Sequence, residues 1–329
     1  DGTRSDHLDQ MCVSDSRPIP FIPGNERVAM GDTAKSLVGA ATAVAAAILV
    51  FWAASDGGAT AGGLPVVFWC LLLAFGINWV AFVHSWLART EKFYDLMGTV
   101  TYLSVMVVAL ILVGRYDARS LLLVGLVAVW TLRLGTFLFR RILASGSDSR
   151  FDKILTNPAH LFMTWTLQGL WVSLTLAAAL AAVTADAGID LDRWAIPGTA
   201  LWVIGMAFEV TADVQKSAFK ADPANDGRYI STGVWAWSRH PNYFGEITLW
   251  AGVTVVAFPA LQGWSLVTLI SPVFVYVLLR YISGVPILER KARSRWGDDP
   301  QWQAYQRDTP LLVPRPPSAG STSGGAPRS

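Results

Sequence analysis

Charge is scarce in this chain. Asp, Glu, Lys and Arg supply 15% of its 329 residues, where an ordinary soluble domain carries about a quarter. With 53% apolar residues, that scarcity excludes a water-soluble globular protein. Cysteine is nearly absent too: Cys12 sits in a polar tail and Cys70 inside an apolar run, so no disulfide framework is available. The four histidines and two cysteines show no metal-ligand spacing, and neither a dinucleotide-binding nor a P-loop glycine fingerprint occurs. The net charge of +2 is too small to imply a nucleic-acid partner. Strict apolar-polar alternation is also missing, which excludes a membrane β-barrel.

What remains is a series of long apolar runs. Segments of membrane-crossing length, about 17 to 25 residues, read at roughly 36–54, 64–88, 97–113, 119–143, 159–183, 194–215, 242–260 and 264–282. The expected fold is therefore all-α, a polytopic transmembrane bundle of about eight spans, or seven if the first is removed. Lys35 followed by an Ala-rich run ending in Ala53-Ala54-Ser55 is similar to a signal peptide. A retained helix is the expectation, because losing it would break the charge asymmetry described next. The organisation expected is a disordered polar tail at 1–34, with Met30 offering a start, then one transmembrane domain at 35–315 and a disordered tail at 316–329.

Lys and Arg concentrate on one side of the membrane. Arg89 and Lys92 follow span two; Arg140, Arg141, Arg150 and Lys153 follow span four. Lys216, Lys220, Arg228 and Arg239 follow span six, and Arg290, Lys291, Arg293 and Arg295 follow span eight. The opposite loops carry Arg115, Arg119 and Arg193. By the positive-inside rule both termini are cytoplasmic.

A charged side chain at membrane depth is costly and marks a functional site by default. In span six, Glu209, Asp213, Lys216 and Lys220 form one helical stripe from acidic at depth to basic at the surface. In span four, Arg133 lies seven residues deeper than Arg140 on the same face, about 10 Å by helical rise, too deep to snorkel easily. Gln168 in span five and Asn78 and His84 in span two are weaker signals, since single polar groups often only bond neighbouring helices.

The densest chemistry is Trp237-Ser238-Arg239-His240-Pro241-Asn242-Tyr243-Phe244-Gly245-Glu246. Pro241 suits a first helical turn, so the residues after it enter the bilayer as helix, with Asn242 and Glu246 on one face. Arg239 and His240 lie where helix-terminal amides and positive charge hold a phosphate. Arg133, Gln168, Asp213, Lys220, Asn242 and Glu246 are expected to converge on one cytoplasm-facing cavity, suited to an anionic ligand end and a lipid-like substrate. The stretch from Arg280 to Glu289 and the segment Trp302 to Tyr305 close it, the latter as an amphipathic lid or an interfacial anchor.

These pieces carry a resemblance. From about 64 to 314 the chain resembles the steroid 5-alpha-reductase family, in particular a bacterial branch of its reductase-like membrane proteins. The matching residues are Trp130-Thr-Leu-Arg133, Leu167-Gln168-Gly169, Gly205-Met206 through Asp213, Lys220, Ser238 to Glu246, and Trp250. The resemblance implies NADPH held at the cytoplasmic side and hydride transfer to an enone in a flat lipid. It implies a cofactor cradle of Arg133, Asp213, Lys220, Arg239, His240, Asn242, Tyr243, Glu246, Trp250 and Arg280. It also implies a hydrophobic small-molecule substrate and a bacterial inner membrane location with the site facing the cytoplasm. Glu209 stands where the steroid enzymes tend to have Asn. The Gln-Glu pair those enzymes carry on the helix matching 97–113 is missing, and an enone-orienting tyrosine is replaced by Trp130. Asp95 and the deeper Tyr102 are the remaining candidates for catalysis, since a carboxylic acid or phenol in a dry pocket can polarise a carbonyl.

The rival reading is a membrane S-adenosylmethionine-dependent methyltransferase similar to isoprenylcysteine carboxyl methyltransferase, which shares the Arg-His-Pro, Tyr, Gly signature and a C-terminal Glu and Tyr segment. Asp213, the Asn242–Glu246 pair and the number of spans favour the reductase. A lipid-binding or transporter-like bundle lacks inverted-repeat evidence and paired broken helices.

Overall fold

The computed structural model describes residues 23–145 and 151–317. Arg150, Cys12 and most of both expected tails lie outside the described residues. Among those described, eight helices are long and apolar enough to cross a membrane, and the only sheet is a two-stranded hairpin, β1 (Thr60–Ala61) with β2 (Leu64–Pro65). The spans are α1 (Pro23–Ala54), α2 (Val66–Ala88), α3 (Tyr94–Val113), α4 (Ala118–Ser145), α5 (Pro158–Val183), α6 (Ala195–Ala221), α7 (Pro241–Ala257) and a broken eighth element containing α8 (Ile270–Val277). Two short helices follow, α9 (Val285–Trp296) and α10 (Pro300–Asp308). The protein is an all-α multi-pass bundle that contacts lipid. An even number of spans leaves both ends of the bundle on the same side.

Several boundaries differ from the sequence reading. Helix α1 begins at Pro23, upstream of the boundary expected near 35, because proline is tolerated in a first turn and Asp32 pairs with Lys35 one turn later at 3.5 Å. The last span is not one uninterrupted α-helix. Gly263–Leu269 winds as a 3-10 helix before α8, and Leu278–Ile282 forms a π-turn after it. Pro272 accounts for the first break, since it lacks an N–H and its ring crowds the carbonyl four residues back. At the second, the Ser283 amide donates to the Leu278 carbonyl at 2.9 Å, one residue further back than an α-helix allows.

Helix α5 is the axis of the bundle: from Val172 to Val183 every residue is buried, as expected of a helix apolar on all sides. It packs against α1, α2, α3, α7 and α8. The closest pair, however, is α6 with α7. Gly198 meets Gly252 and Gly205 meets Gly245 across the antiparallel crossing. A Cβ on Gly205 would lie 2.5 Å from the Gly245 oxygen, and one on Gly252 would lie 2.6 Å from the Gly198 oxygen. Two glycines seven residues apart on each helix thus let the backbones touch, the usual means of helix association where lipid removes the hydrophobic driving force.

At the end opposite the basic loops, Arg119 is 1% exposed. Its guanidinium donates to the carbonyls of Val256 (2.5 Å), Asp190 (2.7 Å) and Ile189 (3.2 Å) and pairs with Asp192 at 3.0 Å. This explains a cation on the side otherwise poor in positive charge: it satisfies carbonyls of the α5–α6 loop and of α7 and cannot be read as a topology signal.

The glycine seam is testable. Gly205→Ala forces a methyl into backbone and is expected to destabilise by about 1–3 kcal/mol, the range for overpacking, read as a lower Tm in detergent. Gly125→Ala on α4, with nothing within 4 Å of its added Cβ, should leave Tm unchanged or raise it.

Candidate active site

The cation at the centre of the site is Arg133. It does not snorkel. Its Nη1 donates to Glu209 Oε1 at 2.5 Å, and its Nη2 pairs with Asp213 Oδ2. The second Glu209 oxygen accepts from Trp130 Nε1 at 3.1 Å. Trp130 and Arg133 are three apart on α4, and Glu209 and Asp213 four apart on α6, so each helix presents two groups on one face. The α6 stripe therefore pairs across helices and not within itself. Glu209 is the hub of this network.

The glycine seam brings in α7. Gly245 abuts Glu209, whose amide nitrogen would lie 2.7 Å from a Cβ at that glycine, and Glu246 follows immediately, 9% exposed. Glu246 makes no hydrogen bond among the described residues. Asn242 and Trp250, one turn to either side, carry a buried Oδ1 and a buried Nε1 without partners. One face of α7 thus holds an acceptor, a carboxyl and a donor in succession, directed into the bundle.

Aromatic rings roof the network. Trp130 and Trp250 meet edge-on at 4.9 Å between centroids, and Tyr102 packs on them at 5.2 and 5.9 Å. Tyr102 is 2% exposed and its hydroxyl is unpartnered.

At the N-terminal end of α7, Glu289 of α9 forms a clamp. Its Oε2 accepts from Arg239 Nη1 at 2.6 Å and from Gln306 of α10 at 2.8 Å, while its Oε1 lies 2.8 Å from His240 Nε2. His240 stacks nearly parallel on Tyr243 at 5.6 Å. Gly284 permits Tyr243 to approach, since a Cβ there would lie 2.9 Å from the tyrosine ring. Arg239 Nε and His240 Nδ1 remain buried and unpartnered. The C-terminal segment docks over this turn: Tyr305 donates to the Trp235 carbonyl at 2.7 Å, Trp302 is buried, and Ser238 donates to the Leu312 carbonyl at 2.8 Å. Trp302 and Tyr305 face protein; they are not membrane-facing anchors.

The structure brings some of the residues singled out in the sequence together and separates others. Arg133, Asp213, Glu246, Trp250 and Tyr102 come together, with Asn242 one turn away. Lys220 is exposed on the last turn of α6; Lys216 is the inward lysine, lying 4.6 Å over the Trp235 ring. Gln168 does not join the cluster, because its Nε2 is taken by the Tyr94 carbonyl at 2.7 Å. Asn78 likewise links α2 to Thr101 of α3 at 3.3 Å, and His84 is exposed. Arg280 sits on the π-turn over the Tyr281 ring at 4.8 Å. Asp95 lies half-buried in the first turn of α3, two turns from Tyr102, or about 10 Å by helical rise, and outside the aromatic pocket. Reading residues alone undervalued Glu209 and missed the clamping role of Glu289. An apolar groove between α4 and α6, lined by Leu122, Ile196, Val203 and Ile204 among others, holds none of these residues.

Residues 81–309, from the middle of α2 through α10, match the family described as protein of unknown function (DUF1295). The chain belongs to that family. DUF1295 lies within the steroid 5-alpha-reductase-like superfamily. The matched region contains every residue of the network and of the Glu289 clamp. Among curated proteins, the chain is similar to one named probable O-methyltransferase ustE, of Ustilaginoidea virens. The two are 26% identical over 145 residues, which cover 39% of this chain and 49% of that relative. The chain thus spans about half the length of this relative. No solved structure matches.

His240 gives the site a pH signature. Burial, the largest influence, holds it below the usual histidine range; Lys216 and Arg239 add to this, and Glu289 opposes it. A histidine with a depressed folded-state pKa binds fewer protons than the unfolded chain below about pH 6.5, its unfolded value. Its contribution to stability is therefore present above that pH and lost as pH falls toward the folded-state pKa. Tm in detergent is expected to decline from pH 7 to pH 5, and His240→Gln should flatten the decline.

Proposed function

We propose that this DUF1295 protein is a membrane reductase that binds NADPH on the Asn242–Glu246–Trp250 face and reduces a carbon-carbon double bond conjugated to a carbonyl in a lipid-like substrate. The observation that carries the reading is that face of α7, with its unpartnered groups next to the Arg133–Glu209–Asp213 network. Buried polar groups in folded proteins are almost always satisfied, so an acceptor, a carboxyl and a donor left open in line suit a ligand with complementary groups along its length. A carboxamide, which both donates and accepts, fits Asn242, Glu246 and Trp250. Lys216, Lys220 and the arginines at the mouth would hold phosphates. When bound, NADPH supplies the hydride; the chain's own residues orient it, exclude water with the aromatic roof, and offer Tyr102 to a substrate oxygen. The resemblance to the steroid 5-alpha-reductase family and membership of its superfamily support the same reading.

A second reading has its own support. The carboxylates of Glu209, Asp213 and Glu246 outnumber the Arg133 guanidinium beside them, a balance that also suits the positive sulfonium of S-adenosylmethionine. The relative named a probable O-methyltransferase points the same way. We keep the reductase first because the basic loops at the mouth suit an anionic dinucleotide.

Calorimetry on purified protein in nanodiscs separates the two. NADPH is expected to bind more tightly than S-adenosylmethionine, and the opposite ranking would overturn the reductase reading. Glu246→Gln and Asn242→Ala should each weaken NADPH by about tenfold or more, since hydrogen bonds to charged groups are worth roughly 1.5–3 kcal/mol, with Tm in the absence of ligand little changed. A large fall in Tm with unaltered affinity would make Glu246 a structural residue.

The site is further proposed to face the cytoplasm of a bacterial inner membrane. Cysteines introduced at Ser231 and Ser55 test this: a membrane-impermeant thiol reagent on intact cells should label the Ser55 position and spare Ser231. The reverse pattern would invert the topology.

A further inference from the structure

The side of Tyr102 turned toward α5 carries a second set of open polar groups, of which the proposed function uses the Tyr102 hydroxyl alone. Trp171 and Thr175 lie four apart on one face of α5. Trp171 Nε1, Thr175 Oγ1 and the Tyr102 hydroxyl are all buried without a hydrogen-bond partner. The Tyr102 ring stands edge-on to Trp171 at 6.3 Å between centroids, the widest of its ring contacts. The Tyr102 hydroxyl faces Thr175 without the geometry of a hydrogen bond.

Thr175 is unusual among its neighbours. Thr164, Thr166, Ser173, Thr184 and Thr254 each satisfy their hydroxyl on the carbonyl four residues back, at 2.7–2.9 Å. This is the ordinary resort of a hydroxyl in an apolar helix. Thr175 does not do so. A buried donor left open is costly, and here three stand open on neighbouring side chains of α3 and α5. All three can donate, the two hydroxyls can also accept, and none is charged. A neutral carbonyl oxygen is a partner that the indole N–H and either hydroxyl could engage.

We propose that Tyr102, Trp171 and Thr175 form a carbonyl-binding pocket for a flat apolar ligand, entered along the half-buried Trp171. This rests on the reductase reading for what the carbonyl is for. The pocket replaces two features missing from the sequence, the Gln-Glu pair and the tyrosine at position 130. Trp130 cannot stand in, because its only N–H is already bound to Glu209. The aromatic walls of Tyr102, Trp130 and Trp250 select planar rings, and the absence of a charged donor selects a ketone over a carboxylate.

The test compares a bicyclic ketone, tetralone, with its hydrocarbon counterpart, tetralin, on the full chain in nanodiscs. Calorimetry gives affinity, and infrared spectroscopy of carbonyl-labelled tetralone gives the hydrogen-bond state of the oxygen. Wild type is expected to prefer the ketone by about tenfold, the equivalent of 1.4 kcal/mol, and to lower the carbonyl stretching frequency. Tyr102→Phe and Thr175→Val, each shape-preserving, should erase most of that preference and shift the carbonyl back, while Tm without ligand stays level or rises. Equal binding of ketone and hydrocarbon, or an unshifted carbonyl, would overturn the pocket. So would a drop in Tm for both variants with the preference intact. NADPH titrated on the same samples keeps the two ideas apart: tetralone bound without NADPH binding removes the reductase reading and leaves the pocket, and the converse removes the pocket alone.

Discussion

The guanidinium of Arg133, shared between Glu209 and Asp213, sets the terms for the rest of the molecule. A cation at that depth is tolerated only if anions are brought to it, and both come from the neighbouring α6. Helix α6 must then present Glu209 and Asp213 to α4 while the adjoining strip of the same face, the glycine seam, fixes α7 against it. The seam leaves no freedom to slide, because backbone meets backbone at two levels. Glu246 is held beside Glu209 for this reason, and the Asn242–Glu246–Trp250 face is aimed inward as a consequence.

The clamp on Glu289 extends the same logic to the water face. Arg239 and His240 read in the sequence as open positive charge for a phosphate. In the fold a single carboxylate engages both, and α10 adds Gln306 to it. What is left open at this turn is narrower than expected: the Nε of one side chain and the Nδ1 of the other. With His240 Nε2 facing the carboxylate and burial disfavouring a second proton, Nδ1 presents an acceptor. Under the proposed function this turn would suit a group able to donate as well as accept, such as a sugar hydroxyl, and the phosphates would fall to Lys216 and Lys220.

The number of spans was legible because membrane helices announce themselves by length and apolarity, and Pro241 marked the start of α7 because a first turn is where proline fits. Arg133 and Asp213 were legible for the opposite reason, as charges where charge is costly. What escaped were features whose meaning lies between helices. Glycines at 198, 205, 245 and 252 read as ordinary small residues until the crossing is seen. Thr175 and Trp171 carry no signal in an apolar run, since a threonine hydroxyl is normally satisfied by its own helix. Lys216 and Lys220 occupy one stripe, and only the position of Trp235 tells which of them turns inward. Arg119 counts as a topology residue by composition, yet its role is set by carbonyls of the distant α5–α6 loop and of α7.

The charge balance of the network explains why two chemistries share one sequence signature. Glu209 and Asp213 face a single guanidinium, with Lys216 nearby and the Glu246 carboxyl beside them, so the centre of the cradle is rich in acceptor oxygens under an aromatic roof. Such surroundings suit a cation held against ring faces. A sulfonium brings that charge in the ground state. If the proposed NADPH were the donor, its nicotinamide would acquire that charge only on giving up hydride, and the same surroundings would favour it more then than before. The Arg-His-Pro turn and the acidic cluster are thus compatible with either donor, and the discrimination must come from the periphery. A dinucleotide needs cations at its phosphate end, which the lysines of α6 and the basic mouth supply. It also needs a dry acceptor site for hydride on the far side of Trp250, where the open donors of Tyr102, Trp171 and Thr175 stand.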